Sequence, residues 1–226
     1  MRPTIAFLVL IWLNGLALAS TETVLKLPPP DTQSGKPFNQ LLQARRSIRN
    51  YQDVLLDLDQ LSQLCFSAQG ITDTKRGFRS APSAGAIYPL ALYIAVKGNS
   101  VKGLKAGIYL YLPETHSLKL IKTGDFFDQI INSALNQSWM KKANAIFIIT
   151  ANPEKMSAKY KDRAERYIFM EAGMSAENLL LQAVNLGLGA CAVGAFYDDQ
   201  IIKILQTPLD QKPLLLIPLG KPEKPF

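Results

Sequence analysis

Residues 163–186 constrain the fold more than any other part of the sequence. Polar residues recur there at steps of four, three, four and three, which is the period of an α-helix, and almost everything around them is apolar. These polar residues are Glu171, Ser175, Asn178, Gln182 and Asn185. A helix with one narrow polar stripe is buried on most sides, either at the centre of a domain or across a subunit interface. The pattern favours neither position.

The rest of the chain predicts a single α+β domain. Its 226 residues can form one domain with a substantial core, and 48% hydrophobic with 19% charged residues exclude disordered, collagen-like and coiled-coil classes. Helices are predicted at residues 38–46, 59–69 and 125–136, capped in the last two cases by Asp57 or Asp59 and by Asp125. Strands are predicted at residues 88–96, 107–112, 117–123, 145–150 and 213–219.

Charge and rare residues exclude several functions. The net charge of +7 comes from scattered basic residues without a long run, which argues against nucleic acid as a partner. The two cysteines, Cys65 and Cys191, are too few for a disulfide framework. The sequence has a single histidine, which excludes a metal site with two histidine ligands and argues against Ser-His-Asp catalysis. That histidine, His116, is predicted to be a solvated residue in a hairpin turn.

The N-terminal residues predict export. Arg2 precedes an apolar run at residues 5–18, and Ala17-Leu18-Ala19 is a small-residue cleavage pattern, so residues 1–19 are predicted to be a signal peptide cleaved after Ala19. The mature protein would be periplasmic or secreted. A retained membrane anchor is the alternative, although the run is shorter than the roughly 20 residues that span a bilayer. Residues 20–37 are predicted to be an extended, poorly ordered Pro-rich linker before a domain at 38–226.

Three segments carry candidate chemistry. Arg45-Arg46-Ser47-Ile48-Arg49 places three guanidinium groups and a hydroxyl together, which suits a phosphate and the carbonyl edge of a flat heterocycle, although such a cluster is also typical of a solvated surface. The small residues within 81–89 and 186–196 let a ligand approach the backbone closely. The glycines of the third segment follow a helix, so they do not form a dinucleotide-binding fingerprint.

These segments, in this order, resemble the nitroreductase family of flavin enzymes. The branch they look most like is the SagB-type dehydrogenases, which oxidise azoline rings in modified peptides. The resemblance spans residues 41–222 and includes R-R-S-I-R, A-P-S-A-G-A-I-Y-P, Tyr160-x-x-Arg163, E-A-G-x-x-x-x-N from Glu171, G-L-G-A-C-A-V-G-A-F, and Leu219-Gly220-Lys221-Pro222.

The resemblance implies an FMN-binding α+β fold, with a central, mostly antiparallel sheet flanked by helices and a long buried helix. It also implies a homodimer with the flavin at the subunit interface. Arg45 and Ser47 would hold the phosphate and ribityl chain, Lys221 would reach the phosphate, and Arg49 would face the N1/O2 edge of the ring. The partner subunit's loop would line the ring, and the backbone after the third segment would lie near N5. The implied cofactor-binding residues are Arg45, Arg46, Ser47, Arg49, Ser83, Ala84, Gly85, Val193, Gly194 and Lys221.

Two departures from the family pattern refine this reading. Relatives in this branch often have histidine at the position of Met174, which weakens any acid/base role near the long helix. Nitroaromatic-reducing members carry asparagine where this loop has Ala86, which argues against that branch. Tyr160 and Tyr88 are the acid/base candidates, with a structural role as the alternative for each, and Cys191 is interpreted as an inert buried thiol.

The predicted function is an FMN-dependent oxidoreductase that transfers hydride between an organic substrate, a small molecule or modified peptide, and flavin. The alternatives are an NAD(P)H-dependent nitro or quinone reductase and a flavin-binding protein without turnover. An exported protein would lack NAD(P)H, so export favours oxidation of a substrate with electrons passed to oxygen or a quinone.

Overall fold

A seven-stranded antiparallel sheet forms the centre of the computed structural model, which describes residues 23–207 and 211–224. The strands are β1 (Val24–Lys26), β2 (Ile71–Asp73), β3 (Phe78–Arg79), β4 (Leu90–Val96), β5 (Gly107–Leu112), β6 (Ser117–Thr123), β7 (Ala145–Ala151), β8 (Gly189–Ala190) and β9 (Lys212–Gly220). The sheet has the order β1-β6-β5-β4-β7-β9-β8, and β2 and β3 form a separate hairpin. The α-helices are α1 (Phe38–Ala44), α2 (Leu58–Gln69), α3 (Phe127–Ser133), α4 (Pro153–Tyr160), α5 (Ala164–Asn185) and α6 (Asp198–Leu205).

The sheet is covered on both faces because its middle strands are apolar at every position. All seven residues of β7 are buried. Since side chains alternate along a strand, Phe147 and Ile149 join the core formed with α2 and α5, whereas Ile146 and Ile148 join the core formed with α3 and α6. The predicted fold, a central antiparallel sheet flanked by helices with one long helix, is confirmed.

Helix α5 agrees with the predicted helix to within one residue at each end. Its polar stripe does not face water, because Glu171 and Ser175 are fully buried. Its solvent-facing side is instead largely apolar: Phe169 and Met170 are 55% exposed and Met174 is 40% exposed. The helix therefore packs at the centre of the domain and also presents an apolar face that nothing in the described chain covers.

Most other predicted elements are present, with changes at their ends. The hairpin of β5 and β6 has the predicted bounds. Helix α3 is shorter than predicted because Leu135 and Asn136 adopt left-handed backbone angles, φ 55° and 56°, that end a helix. Strand β4 begins two residues late because Tyr88 has φ 51°. Helices α4 and α6 and the hairpin of β2 and β3 were not predicted.

The predicted linker is part of the domain where it is described. Val24–Lys26 pairs with β6 as an edge strand, Leu27 is buried, and the Pro28 carbonyl accepts a hydrogen bond from Ser62 Oγ at 2.5 Å. The prediction of a poorly ordered segment is therefore wrong for these residues, because the alternating pattern was too short to be recognised as a strand. The predicted signal peptide lies outside the described residues. No helix within residues 23–207 and 211–224 is long and apolar enough to cross a membrane.

His116 lies in the predicted turn but is half-buried and hydrogen-bonded rather than fully solvated. Its Nδ1 lies 2.8 Å from Tyr111 Oη, and its Nε2 lies 2.8 Å from Ser62 Oγ and 3.0 Å from the Pro28 carbonyl oxygen. Partial burial lowers the pKa of His116 below its usual value of 6.5. The imidazole thus connects the segment that follows β1 to α2 and to the hairpin of β5 and β6.

Replacing His116 with asparagine tests this connection, because asparagine tolerates the left-handed backbone found there, φ 47°. A histidine whose pKa is depressed in the folded state makes the protein less stable as the pH falls below 6.5. His116→Asn should lower the free energy of unfolding by about 1–2 kcal/mol at pH 8, and the deficit should shrink towards pH 5.5. Urea denaturation across this range measures both values, and a deficit that does not change with pH would contradict the assignment.

Candidate functional site

The basic segment after α1 runs beside β8. Ser47 forms a parallel bridge with Ala190, and the Ile48 N–H donates to the Ala190 carbonyl oxygen at 3.0 Å. Glycine is required opposite Ile48, because a Cβ at Gly189 would lie 2.6 Å from Ile48 Cγ2. The close approach of the two backbones therefore places the basic segment against the turn that follows α5.

Lys221 reaches the same turn from the end of β9. The Gln52 N–H donates to the Lys221 carbonyl oxygen at 2.8 Å, so the chain after the basic segment holds the Lys221 backbone. A Cβ at Gly187, which has φ 68°, would lie 3.5 Å from Lys221 Nζ. The ammonium group, the Ser47 backbone and the basic segment thus meet around residues 187–190.

The arginines of the basic segment have different environments. Arg45 Nε lies 3.4 Å from Glu177 Oε1 on α5, and both side chains are partly exposed. The exposed Arg46 donates from Nη1 to the Arg45 carbonyl oxygen at 2.7 Å. Exposed ion pairs contribute little to stability, so the pair with Glu177 orients Arg45 without preventing it from binding an anion.

An aromatic side chain orients the third arginine. The Arg49 guanidinium carbon lies 5.6 Å from the ring centroid of Trp139, which belongs to the 3-10 turn Ser138–Lys142. The Trp139 ring is 6.5 Å from that of Tyr51, whose hydroxyl donates to the Ile48 carbonyl oxygen at 2.6 Å. Sequence reasoning missed Trp139, because nothing in the spacing indicated that this turn returns to the basic segment.

The small-residue loop has an unusual backbone. Gly85, Ala86 and Tyr88 have φ values of 62°, 54° and 51°, which L-residues other than glycine rarely adopt. The Tyr88 N–H donates to Ser83 Oγ at 2.9 Å, and the Arg79 N–H donates to Tyr88 Oη at 3.2 Å. The Arg79 guanidinium also lies 4.8 Å from the centroid of the Tyr88 ring. These contacts support the structural alternative for Tyr88.

The end of α4 brings two functional groups to this loop. A Cβ at Gly85 would lie 2.7 Å from both Lys159 Nζ and Tyr160 Oη, so the ammonium group and the phenol meet over the glycine. The Tyr160 ring packs edge-on against Tyr167 of α5, with 4.8 Å between centroids. Tyr160 was an acid/base candidate from the sequence. Lys159 was not, because α4 itself was not predicted.

The third segment borders a cavity of about 480 Å³. Gly194 lines it and has open space above its Cα, since a Cβ there would meet nothing within 4 Å. The Val193 N–H already donates to the Leu216 carbonyl oxygen at 2.8 Å. The cavity has apolar walls from Ile168, Phe169, Phe196 and Leu214, and charged groups from Lys161, Asp162, Glu165, Asp198 and Lys212.

Glu171 is the most unusual residue of the site. It is only 1% exposed, and neither carboxylate oxygen has a hydrogen-bond partner among the described residues. Burial raises the pKa of Glu171 to about 7, against the opposing influences of the nearby Ser83 hydroxyl and the positive charge of Arg79. One turn further along α5, Ser175 Oγ donates to the Ala68 carbonyl oxygen at 2.9 Å. The sequence placed Glu171 in a polar stripe but assigned it no role.

The two cysteines are free and buried. Cys191 is 1% exposed, which confirms the prediction that its thiol is buried, and burial raises the pKa of Cys65. Met174, which the resemblance marked as a departure from the branch's pattern, lies on the exposed side of α5. None of these three side chains adds a nucleophile to the groups described above.

Glu171→Gln tests the cost of the buried carboxylate. The folded protein binds the Glu171 proton more tightly than the unfolded chain, whose carboxyl has a pKa near 4.5, so stability is lost as the pH rises from 4.5 through about 7. Glutamine removes the charge at similar volume. The variant should be more stable than the native protein by about 1–3 kcal/mol at pH 8, and by much less at pH 5. Urea denaturation of both proteins at pH 5 and pH 8 tests this. An equal difference in the free energy of unfolding at the two pH values would show that the Glu171 carboxyl does not titrate between them.

Comparison with known proteins gives a consistent picture. Residues 42–221 match the model of the nitroreductase family. The chain is 41% identical over 197 residues to the nitroreductase-like protein MJ1384 of Methanocaldococcus jannaschii, an alignment that covers 87% of this chain and 96% of that protein.

Two further proteins share the fold or part of the sequence. The crystal structure of a nitroreductase-like protein of Ralstonia eutropha superimposes with a TM-score of 0.79 at 29% identity, covering 92% of this chain and 93% of that one. The microcin B17-processing protein McbC of Escherichia coli is 25% identical over 162 residues, which are 70% of this chain. The match spans only 58% of McbC.

Proposed function

The chain belongs to the nitroreductase family, and from this premise we propose that it is an FMN-dependent oxidoreductase of the SagB-like dehydrogenase type. Members of the family are generally oxidoreductases and usually bind a flavin. The observation that carries the flavin assignment is the convergence of the basic segment and Lys221 on the turn after α5. The SagB-like branch is supported by the sequence similarity to the processing protein McbC.

This turn fits the phosphate and chain of FMN. The Arg45 guanidinium and the Lys221 ammonium group provide charge-assisted hydrogen bonds to a phosphate, and the Ser47 hydroxyl provides a neutral one to the ribityl chain. Arg46 lies next in the same exposed segment and adds positive charge. Because Gly187 has no side chain, the backbone beside the Lys221 ammonium group is accessible to the ligand.

The flat flavin ring would lie between the small-residue loop at residues 81–89 and the third segment at residues 186–196. Arg49, held by Trp139, would face the N1/O2 edge, where a positive charge stabilises the reduced anionic ring. Val193 and Gly194 would form the backbone near N5, and the open space above Gly194 suits a planar group. The small loop of Ser83, Ala84 and Gly85 would cover the ring from the partner subunit.

The substrate would enter the cavity beside Gly194. Its apolar walls and charged rim suit an organic group attached to a polar chain, such as a modified peptide. The microcin B17-processing protein McbC has a related sequence, which supports this class. When bound, FMN supplies a two-electron acceptor that takes a hydride from a substrate carbon. The Tyr160 hydroxyl would pass the proton released from the neighbouring substrate atom on to water, and the Lys159 ammonium group beside it would orient the substrate as a hydrogen-bond donor.

The exposed apolar face of α5 supports a homodimer. Phe169, Met170 and Met174 lie on one side of the helix, and α1, which packs against α5, adds exposed Phe38 and Leu42. Exposed apolar side chains grouped on one side of a helix are typical of a protein interface. A second copy of the chain is the proposed partner, and it would bring its small loop to the flavin ring.

Export remains part of the proposal, as do the two alternative functions. An exported dehydrogenase would pass electrons to oxygen or a quinone rather than take them from NAD(P)H. Anaerobic addition of NADH to the FMN-loaded protein separates these possibilities. Bleaching of the flavin band would favour an NAD(P)H-dependent reductase, whereas an unchanged band would favour the dehydrogenase or a binding protein without turnover.

FMN binding by the full chain is the direct test. Equilibrium dialysis should show one FMN per chain, and Arg45→Ala or Lys221→Ala should weaken binding by about 10- to 100-fold, since each removes a charge-assisted hydrogen bond. Two control variants distinguish the loss of these specific contacts with FMN from a general loss of positive charge on the protein. Lys102→Ala removes an exposed lysine elsewhere, and Glu177→Gln breaks the ion pair of Arg45 while keeping the guanidinium. Both should bind FMN at least as well as the native protein, and absence of FMN binding by the native protein would refute the proposal.

Met170→Lys tests the proposed dimer. A charged side chain in the apolar face should shift the protein from dimer to monomer in sedimentation experiments, because the lysine would be buried without a partner. Leu55→Lys, at an exposed apolar residue away from α5, is the matched control and should stay dimeric. A native protein that sediments as a monomer at all concentrations would overturn the dimer.

A further inference from the structure

Arg79 and Tyr88 close the small-residue loop that lies between them. The Arg79 backbone N–H donates to Tyr88 Oη at 3.2 Å, and the Arg79 guanidinium carbon lies over the Tyr88 ring, 4.8 Å from its centroid. The Tyr88 N–H donates to Ser83 Oγ at 2.9 Å, so the backbone and the hydroxyl of Tyr88 are both bonded. Residues 79–88 therefore form a closed loop whose two ends are held together by one arginine and one tyrosine.

The backbone of this loop needs contacts that fix its shape. Tyr88 has φ 51°, which is uncommon for a residue with a bulky side chain, and Ala86 has φ 54°. A backbone in this region persists only when the surrounding structure holds it. The hydrogen bond and the ring contact from Arg79 act directly on Tyr88, so they stabilise the strained end of the loop.

The guanidinium group of Arg79 anchors the closed loop to the rest of the domain. Its Nη1 donates to Gln69 Oε1 at 3.0 Å, at the end of α2, and its Nη2 donates to Glu114 Oε1 at 3.1 Å, in the turn between β5 and β6. Gln69 is 2% exposed, and its amide nitrogen donates to Ser175 Oγ of α5 at 3.2 Å. The Arg79 side chain is itself only 13% exposed, so water competes weakly for these hydrogen bonds.

This set of contacts requires an arginine. A planar guanidinium group donates in two directions within its plane while its flat face lies on an aromatic ring. The ammonium group of lysine is a compact point charge without a flat face, so it cannot bind both acceptors and also lie flat on the Tyr88 ring. The hydrogen bonds to Gln69 and Glu114 thus fix the plane of the guanidinium group, and that plane fixes the ring that lies against it.

The closed loop contains the residues that are proposed to cover the flavin ring, Ser83, Ala84 and Gly85. A loop that is already held in its bound shape binds more tightly, because no ordering is needed on binding. We propose that Arg79 is a positioning residue that holds the loop in the shape that binds the ring, so that Arg79 of one subunit determines how tightly its partner retains the flavin. This inference rests on the proposed FMN site and the proposed homodimer.

Two ligands distinguish the loop from the phosphate site, because riboflavin has the ring of FMN but lacks its phosphate. In equilibrium dialysis with the full chain, Arg79→Met should bind both FMN and riboflavin about 5- to 20-fold more weakly than the native protein does, since the loop must then be ordered on binding. Arg79→Lys should weaken both to a similar extent, because lysine lacks the planar fork. Lys221→Ala should instead weaken the binding of FMN much more than that of riboflavin.

Two further variants separate the effect on the loop from a loss of stability. Arg76→Met is the matched control: the Arg76 guanidinium also has an ion pair, at 2.8 Å to Asp73, and a ring contact, at 4.9 Å to Phe78, but both partners belong to the hairpin of β2 and β3. It should bind both flavins like the native protein. Tyr88→Phe keeps the ring and removes the acceptor of the Arg79 N–H, so it should weaken the binding of both flavins by about threefold. Unchanged affinities in Arg79→Met and Tyr88→Phe would overturn the inference.

A mixed dimer tests the action across the subunit interface. One chain carries Arg79→Met and the other carries Lys221→Ala, with different affinity tags so that the mixed dimer can be purified. If each loop covers the ring held by the partner, one site combines both defects and the other is native, so one FMN per dimer should bind with native affinity. Two weakened sites would show that Arg79 acts within its own subunit, and would overturn the inference while leaving the FMN site intact. Absence of FMN and riboflavin binding by the native chain would refute the FMN site itself, and the inference with it.

Discussion

The packing of α5 against α2 and the central sheet positions every part of the candidate site. At its C-terminal end the helix delivers the glycine turn that meets the basic segment, and Glu177 contacts Arg45. In its middle, Asn178 donates to the Ser80 carbonyl oxygen at 3.2 Å and so holds the start of the small loop. Near its N-terminus, Tyr167 supports Tyr160. A shift of this one helix would therefore disturb all three segments together.

The site concentrates features that cost stability. Two non-glycine residues, Ala86 and Tyr88, hold left-handed backbone angles, and Glu171 is buried without a hydrogen-bond partner in the described chain. Each such feature costs on the order of 1–3 kcal/mol, and together they persist only because the surrounding core is well packed. The fully buried strand β7 and the two apolar cores on either side of it provide that packing. Strain of this kind is typical of loops whose shape is needed for binding.

The sequence predicted the parts of the fold that local periodicity determines. The hairpin of β5 and β6, strand β7 and helix α5 have strong, long patterns, and each was located to within about a residue. The shorter elements β1, α4 and α6 were missed because their patterns extend over too few residues. The three site segments were found as motifs, but Trp139, Lys159 and the role of Arg79 were not. These three depend on contacts between residues distant in sequence, and a single sequence carries no signal for such contacts.

The proposed position of the ring links cofactor binding to subunit association. If the small loop of one subunit covers the ring held by the basic segment of the other, FMN binds the dimer more tightly than the monomer. By thermodynamic linkage, FMN must then strengthen the dimer by the same factor. Two sets of contacts would thus stabilise the FMN-bound dimer: the apolar contacts of α5 between the subunits, and the contacts of the cations near residues 187–190 with FMN. Since Asn178 and Glu177 are adjacent on α5, one turn of this helix contacts both the loop that is proposed to cover the partner's ring and the arginine that is proposed to bind the subunit's own FMN. In such a dimer, this turn would be the direct structural connection between the subunit interface and the phosphate site.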